Sequence, residues 1–399
     1  MTHSVSPALP DIDRSAALRR VVEMMAIPGK SCQEGRIVEF VRDRLAQAGI
    51  SGSAVSVDSV NRKSPAGGEV GNLIVKLPGT KRGPRRLLMA HVDTVPLCVG
   101  SQPVRRGPVV VSRDRRTALG ADDRAGASIV LGAILEIVRQ DLPHPPLTLF
   151  WPVQEEIGLY GARFVSLPKL GRPQLCFNFD SSGPEFAIVG ATGGYSIGIE
   201  IDGIASHAGV HPERGVSAIA IASRAIADLV SNGWHGLVVK GRNLGTSNVG
   251  FIQAGEATNV VTPHLTLRAE VRSHDPKFRS RLRDEFRKAF ERAAHSLPND
   301  DGKRGRIHFS ADLKYESFHL SESEPCVETA QKAIAAVGLD AQIRIANGGL
   351  DANWMSARGL PTVTIGCGQQ NPHTVEESLH IESYLQACRI GLLLATAAV

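Results

Sequence analysis

Four short apolar segments, separated by polar or glycine-rich loops, constrain the fold of this chain more than any other feature. They are GNLIVKLPG (71–79), RRLLMAHVD (85–93), LTLFWPVQE (147–155) and QLCFNFD (174–180). Nearly continuous apolar runs are typical of strands that are covered on both faces. Between the second and third runs lies DDRAGASIVLGAILEIVRQ, a predicted crossover helix. The alternation predicts an α/β fold with a mixed, largely parallel sheet flanked by helices.

The middle of the chain predicts a second, inserted domain. From about residue 191 the apolar pattern changes to the order β-α-β-β-α-β, which is that of a ferredoxin-like unit. After it the chain returns with a helix, the glycine-rich turn NGGLDANW, a strand and a closing helix from about residue 380. We therefore predict a catalytic domain in two parts, 1–190 and 316–399, and an inserted lid or dimerisation domain at 191–315.

Composition excludes several classes of protein. The net charge of +5 is small, and the basic residues are scattered instead of concentrated on one element, so a nucleic-acid partner is not expected. The six cysteines have no paired spacing, which favours reduced thiols. The longest apolar stretch, IGLLLATAAV, is too short to span a bilayer, and the first residues have no apolar signal region. We expect a soluble cytoplasmic protein.

Residues that can bind metals follow the predicted strands. His91 and Asp93 end one strand, Glu155 and Glu156 end another, and Asp180 ends a third. In open α/β sheets, ligands bind in the crevice beyond the carboxyl ends of the strands. Two further candidates, Asp122 at the start of the crossover helix and His373 after the last strand, complete the set.

The spacing of His91 and Asp93 adds detail. Residues two apart on a strand point to the same face, so Asp93 can hold one ring nitrogen of His91 while the other binds a metal. Two imidazoles and three carboxylates suit zinc or a similar divalent ion, whereas calcium or magnesium prefers an all-oxygen site. Zinc is therefore the first expectation.

The adjacent glutamates Glu155 and Glu156 would repel each other in a dry crevice. A bound metal offsets this repulsion because its charge favours the ionised carboxylates. One glutamate can then bind the metal while the other accepts a proton from water. Spacing alone does not say which glutamate has which role.

Eight motifs, in order along nearly the whole chain, resemble those of the dinuclear zinc peptidases of the aminoacylase and carboxypeptidase superfamily. The resemblance is greatest to its peptidase T branch, the tripeptide aminopeptidases. The motifs are AHVDTVP, GADDRAG, PVQEEIGLYGA, FDSSGP, ASHAGVHPERGVSA, NVVTPHLTLRAEVR, NGGLDAN and NPHTVEE.

The resemblance implies a role for each residue of the metal site. It implies that Asp122 bridges two zinc ions, with cobalt or manganese as substitutes. His91 and Asp180 would complete one site, and Glu156 and His373 the other. Glu155 would be the general base, taking a proton from a metal-bound water, and Asp93 would orient His91. The Asp122–Asp123 peptide bond is expected to be cis.

Three residues of the predicted insert also receive roles from the resemblance. His207 would polarise the scissile carbonyl, often across a dimer interface, so a homodimer through the insert is expected. Asn259 and Arg272 resemble positions that hold a substrate carboxylate, for which arginine suits a two-bond grip. The competing interpretation is that Arg272 forms a structural pair with another side chain and does not bind substrate.

The resemblance implies hydrolysis of an amide bond in short peptides. An aspartate at position 180 is typical of relatives that act on free-amine peptides, which favours an aminopeptidase that acts on tripeptides or similar substrates. The alternatives are a carboxypeptidase or N-acyl amino-acid deacylase and, from a different class, a catalytically silent metal-binding interaction protein.

Overall fold

The fold is described from a computed structural model, which covers residues 10–396. Residues 1–9 and 397–399, which belong to the stretches used to predict the cytoplasmic location, lie outside the described residues. The helices are α1 (Arg14–Ala26), α2 (Gly35–Gln47), α3 (Ala121–Gln140), α4 (Tyr160–Phe164), α5 (Ala218–Ser231), α6 (Pro276–His295), α7 (Pro325–Ala336), α8 (Asp351–Ala357) and α9 (Ile381–Thr396).

The strands lie between these helices, singly or in runs. They are β1 (Val55–Val57), β2 (Leu73–Leu77), β3 (Arg86–Met89), β4 (Pro103–Arg106), β5 (Val109–Ser112), β6 (Leu147–Trp151), β7 (Leu175–Phe179), β8 (Phe186–Ala191), β9 (Gly193–Asp202), β10 (Gly236–Lys240), β11 (Asn243–Ala254), β12 (His264–Ser273), β13 (Arg306–Tyr315), β14 (Phe318–His319), β15 (Gln342–Ala346), β16 (Thr362–Ile365), β17 (Gln369–Gln370) and β18 (Ser378–His380).

The chain folds into two compact units. Unit 1 contains residues up to Gly190, His319–Ala346 and Leu350 onwards, and unit 2 contains Ala191–Phe318 together with Asn347–Gly349. Each unit has its own sheet.

The main sheet of unit 1 confirms the predicted fold class. Its strand order is β1-β2-β6-β3-β7-β16-β8-β14, with β15 also paired to β8. The central strands β6, β3, β7 and β16 are parallel to one another, and every residue in them is buried. Complete burial explains why these segments are continuously apolar, since helices α3, α7, α8 and α9 pack on this part of the sheet.

Unit 2 has one antiparallel sheet with the order β10-β11-β12-β9-β13. The path β9-α5-β11-β12-α6-β13 is the predicted ferredoxin-like unit, and α6 buries the apolar side chains of Phe278, Leu282, Phe286 and Phe290. The edge strand β10 is an addition that the sequence analysis missed. Its apolar residues Leu237 and Val239 are exposed, so it lacks the one-sided burial that makes a strand recognisable.

Unit 1 also contains smaller elements that were not predicted from the sequence. A short sheet with the order β17-β18-β5-β4 lies outside the main sheet. The segment NGGLDANW was predicted as a turn, but helix α8 begins within it at Asp351. Among residues 10–396, no helix is long and apolar enough to cross a membrane.

A matched pair of leucines tests the core of unit 2. Leu282 is fully buried and Leu237 is 70% exposed. We expect Leu282→Ala to lower the free energy of unfolding by about 2 to 5 kcal/mol, because it leaves a cavity. Leu237→Ala, the same substitution at the surface, should change it by less than about 0.5 kcal/mol. Urea denaturation followed by circular dichroism measures both, and equal effects would contradict the described packing.

Candidate active site

The carboxyl ends of three neighbouring strands bring the candidate residues together. In the parallel register, Met89 of β3 lies level with Phe150 of β6 and Asn178 of β7. The residues that follow each strand therefore emerge at one edge of the sheet. They are His91 and Asp93 after β3, Glu155 and Glu156 after β6, and Asp180 after β7.

One cluster of potential ligands consists of His91, Asp122 and Asp180. One ligand atom from each residue lies within 4.8 Å of the other two. His91 Nε2 is 3.3 Å from Asp122 Oδ1. The side chain of His91 is 2% exposed, so its ring nitrogens face protein groups and not solvent.

A second cluster consists of Asp122, Glu156 and His373, again with ligand atoms within 4.8 Å of one another. His373 Nε2 lies 3.3 Å from Asp122 Oδ2 and 2.9 Å from Glu156 Oε2. Asp122 therefore belongs to both clusters and presents a different oxygen to each histidine. His373 is 52% exposed, so this cluster opens to solvent on one side.

The start of α3 holds Asp122 at this junction. The Asp122–Asp123 peptide bond is cis, as the resemblance implied. The buried carboxylate of Glu377 accepts hydrogen bonds from the backbone N–H groups of Gly120 at 2.7 Å and Asp122 at 2.9 Å. Glu377 lies four residues after His373, so these hydrogen bonds connect the loop that bears His373 to the start of α3.

Asp93 is the most heavily bonded carboxylate of the site. It accepts hydrogen bonds from the hydroxyl of Ser31 at 2.6 Å and from the backbone N–H groups of Glu155 at 2.9 Å and Glu156 at 3.2 Å. Nδ1 of His91 lies 3.0 Å from the backbone oxygen of Asp93 and 3.4 Å from its carboxylate. These contacts direct the other ring nitrogen, Nε2, towards Asp122.

Glu155 belongs to neither ligand cluster. It is 8% exposed, and burial raises the pKa of its carboxyl well above the usual range. The positive charge of His91 opposes this rise in pKa, whereas the negative charge of Asp180 adds to it. A carboxylate with a raised pKa is a better proton acceptor at neutral pH than an ordinary surface glutamate.

The two clusters fit a pair of metal ions. Asp122 Oδ1 is buried and accepts no hydrogen bond within the described residues, although His91 Nε2 is close. Burial raises the pKa of Asp180 well above its usual range, and the charge of Asp122 raises it further. A divalent cation would offset this repulsion, and a set of imidazole and carboxylate ligands suits zinc and similar ions.

The other predicted site residues, His207, Asn259 and Arg272, belong to unit 2. His207 is exposed and lies in an isolated bridge with Val260, while the N–H of Ala208 donates to the backbone oxygen of Asn259. Arg272 makes two hydrogen bonds of 2.9 Å to the carboxylate of Glu270. The structural pairing of Arg272 that competed with a substrate-binding role is therefore present.

Three residues near the clusters were not predicted from the sequence: Ser31, Glu377 and Asp351. Ser31 and Glu377 act on the clusters through hydrogen bonds to Asp93 and to the start of α3. A serine in a loop carries no signal of such a role. Glu377 follows His373 in the quoted motif NPHTVEE, and Asp351 lies in NGGLDAN, so position within a motif was the available signal.

Comparisons with known proteins define the class of the chain. It belongs to Peptidase family M20/M25/M40, whose family model matches residues 87–397. A solved tripeptidase from Staphylococcus aureus is similar, with a TM-score of 0.87 and 28% identity, covering 97% of this chain and 99% of that chain. A solved aminopeptidase PepT from Bacillus cereus has a TM-score of 0.82 and 28% identity over the same shares of the two chains.

A curated relative, carboxypeptidase G2 from Pseudomonas sp., is 30% identical over 317 residues, which are 76% of this chain and 71% of the relative. The family and these neighbours confirm the predicted metallopeptidase of the peptidase T-like branch. Membership of a peptidase family therefore argues against the alternative of a catalytically silent metal-binding protein.

Neighbouring glutamates test the contact between the His373 loop and α3. Glu377→Ala removes the acceptor of one buried and one part-buried backbone N–H group, so we expect it to lower the free energy of unfolding by about 1 to 3 kcal/mol. Glu376 is exposed, and Glu376→Ala should leave stability unchanged. Denaturant titration of both variants provides the measurement. Equal stabilities would mean that the hydrogen bonds of Glu377 contribute nothing.

Proposed function

We propose that the chain is an aminopeptidase that removes the N-terminal residue of short peptides, tripeptides foremost, at a centre of two divalent metal ions. The observation that carries the proposal is the position of Asp122, whose two carboxylate oxygens face His91 and His373 separately, each within 3.3 Å. A carboxylate shared in this way is suited to bridging two cations.

The two clusters supply the ligands of this proposed centre. His91 and Asp180 would hold one ion, Glu156 and His373 the other, and Asp122 both. Zinc is the first choice for this mixture of imidazole and carboxylate, and cobalt or manganese are the alternatives. When bound, such ions supply Lewis acidity at the substrate carbonyl and make water easier to deprotonate.

Glu155 is the proposed general base. Its carboxylate accepts the proton of the attacking water and then passes this proton to the nitrogen of the leaving amine. Its burial supports the role, because exclusion of bulk water raises its proton affinity. Asp93 keeps the backbone of Glu155 in place through the 2.9 Å hydrogen bond and orients His91.

Three residues of unit 2 are proposed to contact the substrate. His207 donates a hydrogen bond to the carbonyl oxygen as negative charge develops there. Asn259 and Arg272 bind the carboxylate at the other end of the substrate. For Arg272 this role requires the guanidinium to share or exchange its present partner, Glu270. The roles of all three residues derive from the resemblance to the family.

Substrate choice depends on Asp180. The resemblance associates an aspartate here with free-amine peptides, and the tripeptidase and PepT neighbours agree with an aminopeptidase. A carboxypeptidase or N-acyl amino-acid deacylase is the second candidate, favoured by the 30% identity to carboxypeptidase G2.

We further propose a cytoplasmic homodimer formed through the insert at 191–315. Unit 2 exposes apolar side chains at its sheet edge, with Leu237 at 70% and Val239 at 58% exposure on β10. Exposed apolar side chains on an edge strand are suited to pairing with a second chain.

The two adjacent glutamates provide a test of mechanism with an internal control. We expect Glu155→Gln to retain a normal metal content while kcat falls roughly 100- to 10,000-fold, because only proton transfer is lost. Glu156→Gln should lower metal content and activity together, because it removes a ligand. Elemental analysis and steady-state kinetics on the same preparations separate the two effects. Normal activity in Glu155→Gln would remove the assigned base.

A small peptide panel tests the substrate class. We expect trialanine to be hydrolysed, and its C-terminal amide to be hydrolysed more slowly because the carboxylate contact is lost. N-acetyl-trialanine should resist hydrolysis, because acetylation removes the free amine. Chromatographic product analysis identifies the bond that is cleaved. Hydrolysis of the acetylated peptide at an undiminished rate would favour the second candidate instead.

A further inference from the structure

Asp351 is a buried acid to which the proposed mechanism gives no role. It is the first residue of α8, is 1% exposed, and both of its carboxylate oxygens lack a hydrogen-bond partner. Among residues 10–396, no other carboxylate has both oxygens buried and unpartnered. An unpaired buried carboxylate is costly, so a purely structural residue at this position would be expected to have donors around it.

The charge of Asp351 acts on the candidate active site. Helix α8 packs against α4, which follows the loop of Glu155, and against strand β16. Burial raises the pKa of Asp351 to about 7, and the positive charge of His91 opposes this rise. In turn, the negative charge of Asp351 contributes to the raised pKa values of both Glu155 and Asp180. The unpartnered carboxylate therefore lies within electrostatic range of the proposed base and of the first ligand cluster.

A third metal ion does not explain the carboxylate of Asp351. Asp351 belongs to neither group of potential ligands, because its oxygens do not share the 4.8 Å spacing of those groups. The cation Arg124 is buried and donates to the backbone oxygens of Ile27 and Gly29 instead. No donor among residues 10–396 bonds to either oxygen of Asp351, so its N–H donors would have to come from a bound molecule.

We propose that Asp351 binds the free α-amino group of the peptide substrate by accepting its N–H hydrogen bonds. This inference rests on the proposed function, since only an aminopeptidase must recognise a free amine at the bond it cleaves. An ammonium group supplies the N–H donors that the carboxylate lacks and places a positive charge in direct contact with it. This role explains why an energetically unfavourable buried carboxylate is present at position 351. The carboxylate discriminates between substrates with and without a free amine.

Binding measurements test the contact without relying on turnover. Protein that carries Glu155→Gln is loaded with metal, and calorimetry gives Kd for trialanine and for propionyl-dialanine, in which hydrogen replaces the amino group. Adding Asp351→Asn should weaken trialanine binding roughly 10- to 100-fold, the loss expected for a hydrogen bond to a charged group. Binding of propionyl-dialanine should change by less than about 3-fold, because that ligand never made the contact.

Two further variants control for indirect effects. Asp340 is exposed on the same unit, and Asp340→Asn should alter neither Kd. Asp351→Glu keeps the charge but moves the carboxylate by one methylene, so it should show the same selective loss. The melting temperature of Asp351→Asn should equal or exceed that of its parent, because an unpaired buried charge is removed.

The outcomes separate the two proposals. Equal loss of affinity for both ligands, or no loss for trialanine, overturns the role of Asp351. Rapid hydrolysis of N-acetyl-trialanine by the unmodified enzyme overturns the aminopeptidase proposal itself. Resistance of the acetylated peptide together with equal losses in the variant would leave the aminopeptidase standing and remove only the amine contact.

Discussion

The carboxylate of Asp93 is the constraint on which the geometry of the candidate site depends. It is completely buried and joins three separate pieces of chain: the Ser31 loop, the end of β3 that bears His91, and the loop with Glu155 and Glu156. Burial alone would raise its pKa, but the contact with His91 and the hydrogen bond from Ser31 outweigh burial and keep the pKa low. Through these hydrogen bonds, the carboxylate of Asp93 fixes a potential ligand and the proposed base relative to each other.

The surrounding acids show that this region is not arranged for stability. Glu155, Asp180 and Asp351 all have pKa values raised by burial, and the charges of Asp180 and Asp351 both add to the rise at Glu155. A sheet edge built only for folding would carry apolar or paired groups here. This accumulation of buried acids is the physical basis for the proposed pair of metal ions and for the proposed contact between Asp351 and a substrate amine.

Sequence patterns could predict the features that depend on local periodicity. The buried parallel strands are apolar throughout, and the ligand candidates follow them directly, so both the sheet and the convergence of His91 with Asp180 were predictable. Contacts between distant segments were not predictable. Nothing in the sequence around Ser31 indicates a hydrogen bond to Asp93, which lies 62 residues away. Strand β10 was missed for a different reason, because only Val238 of its apolar residues is buried.

The main segment of unit 2, Ala191–Phe318, begins and ends on adjacent strands. The chain leaves unit 1 at the end of β8 and returns at β14, and these two strands are neighbours in the main sheet. Their backbone pairing does not depend on how many residues lie between them or on what those residues form. The junction between β8 and β14 therefore tolerates changes in the size and content of the inserted module without altering the strand pairing of the catalytic sheet.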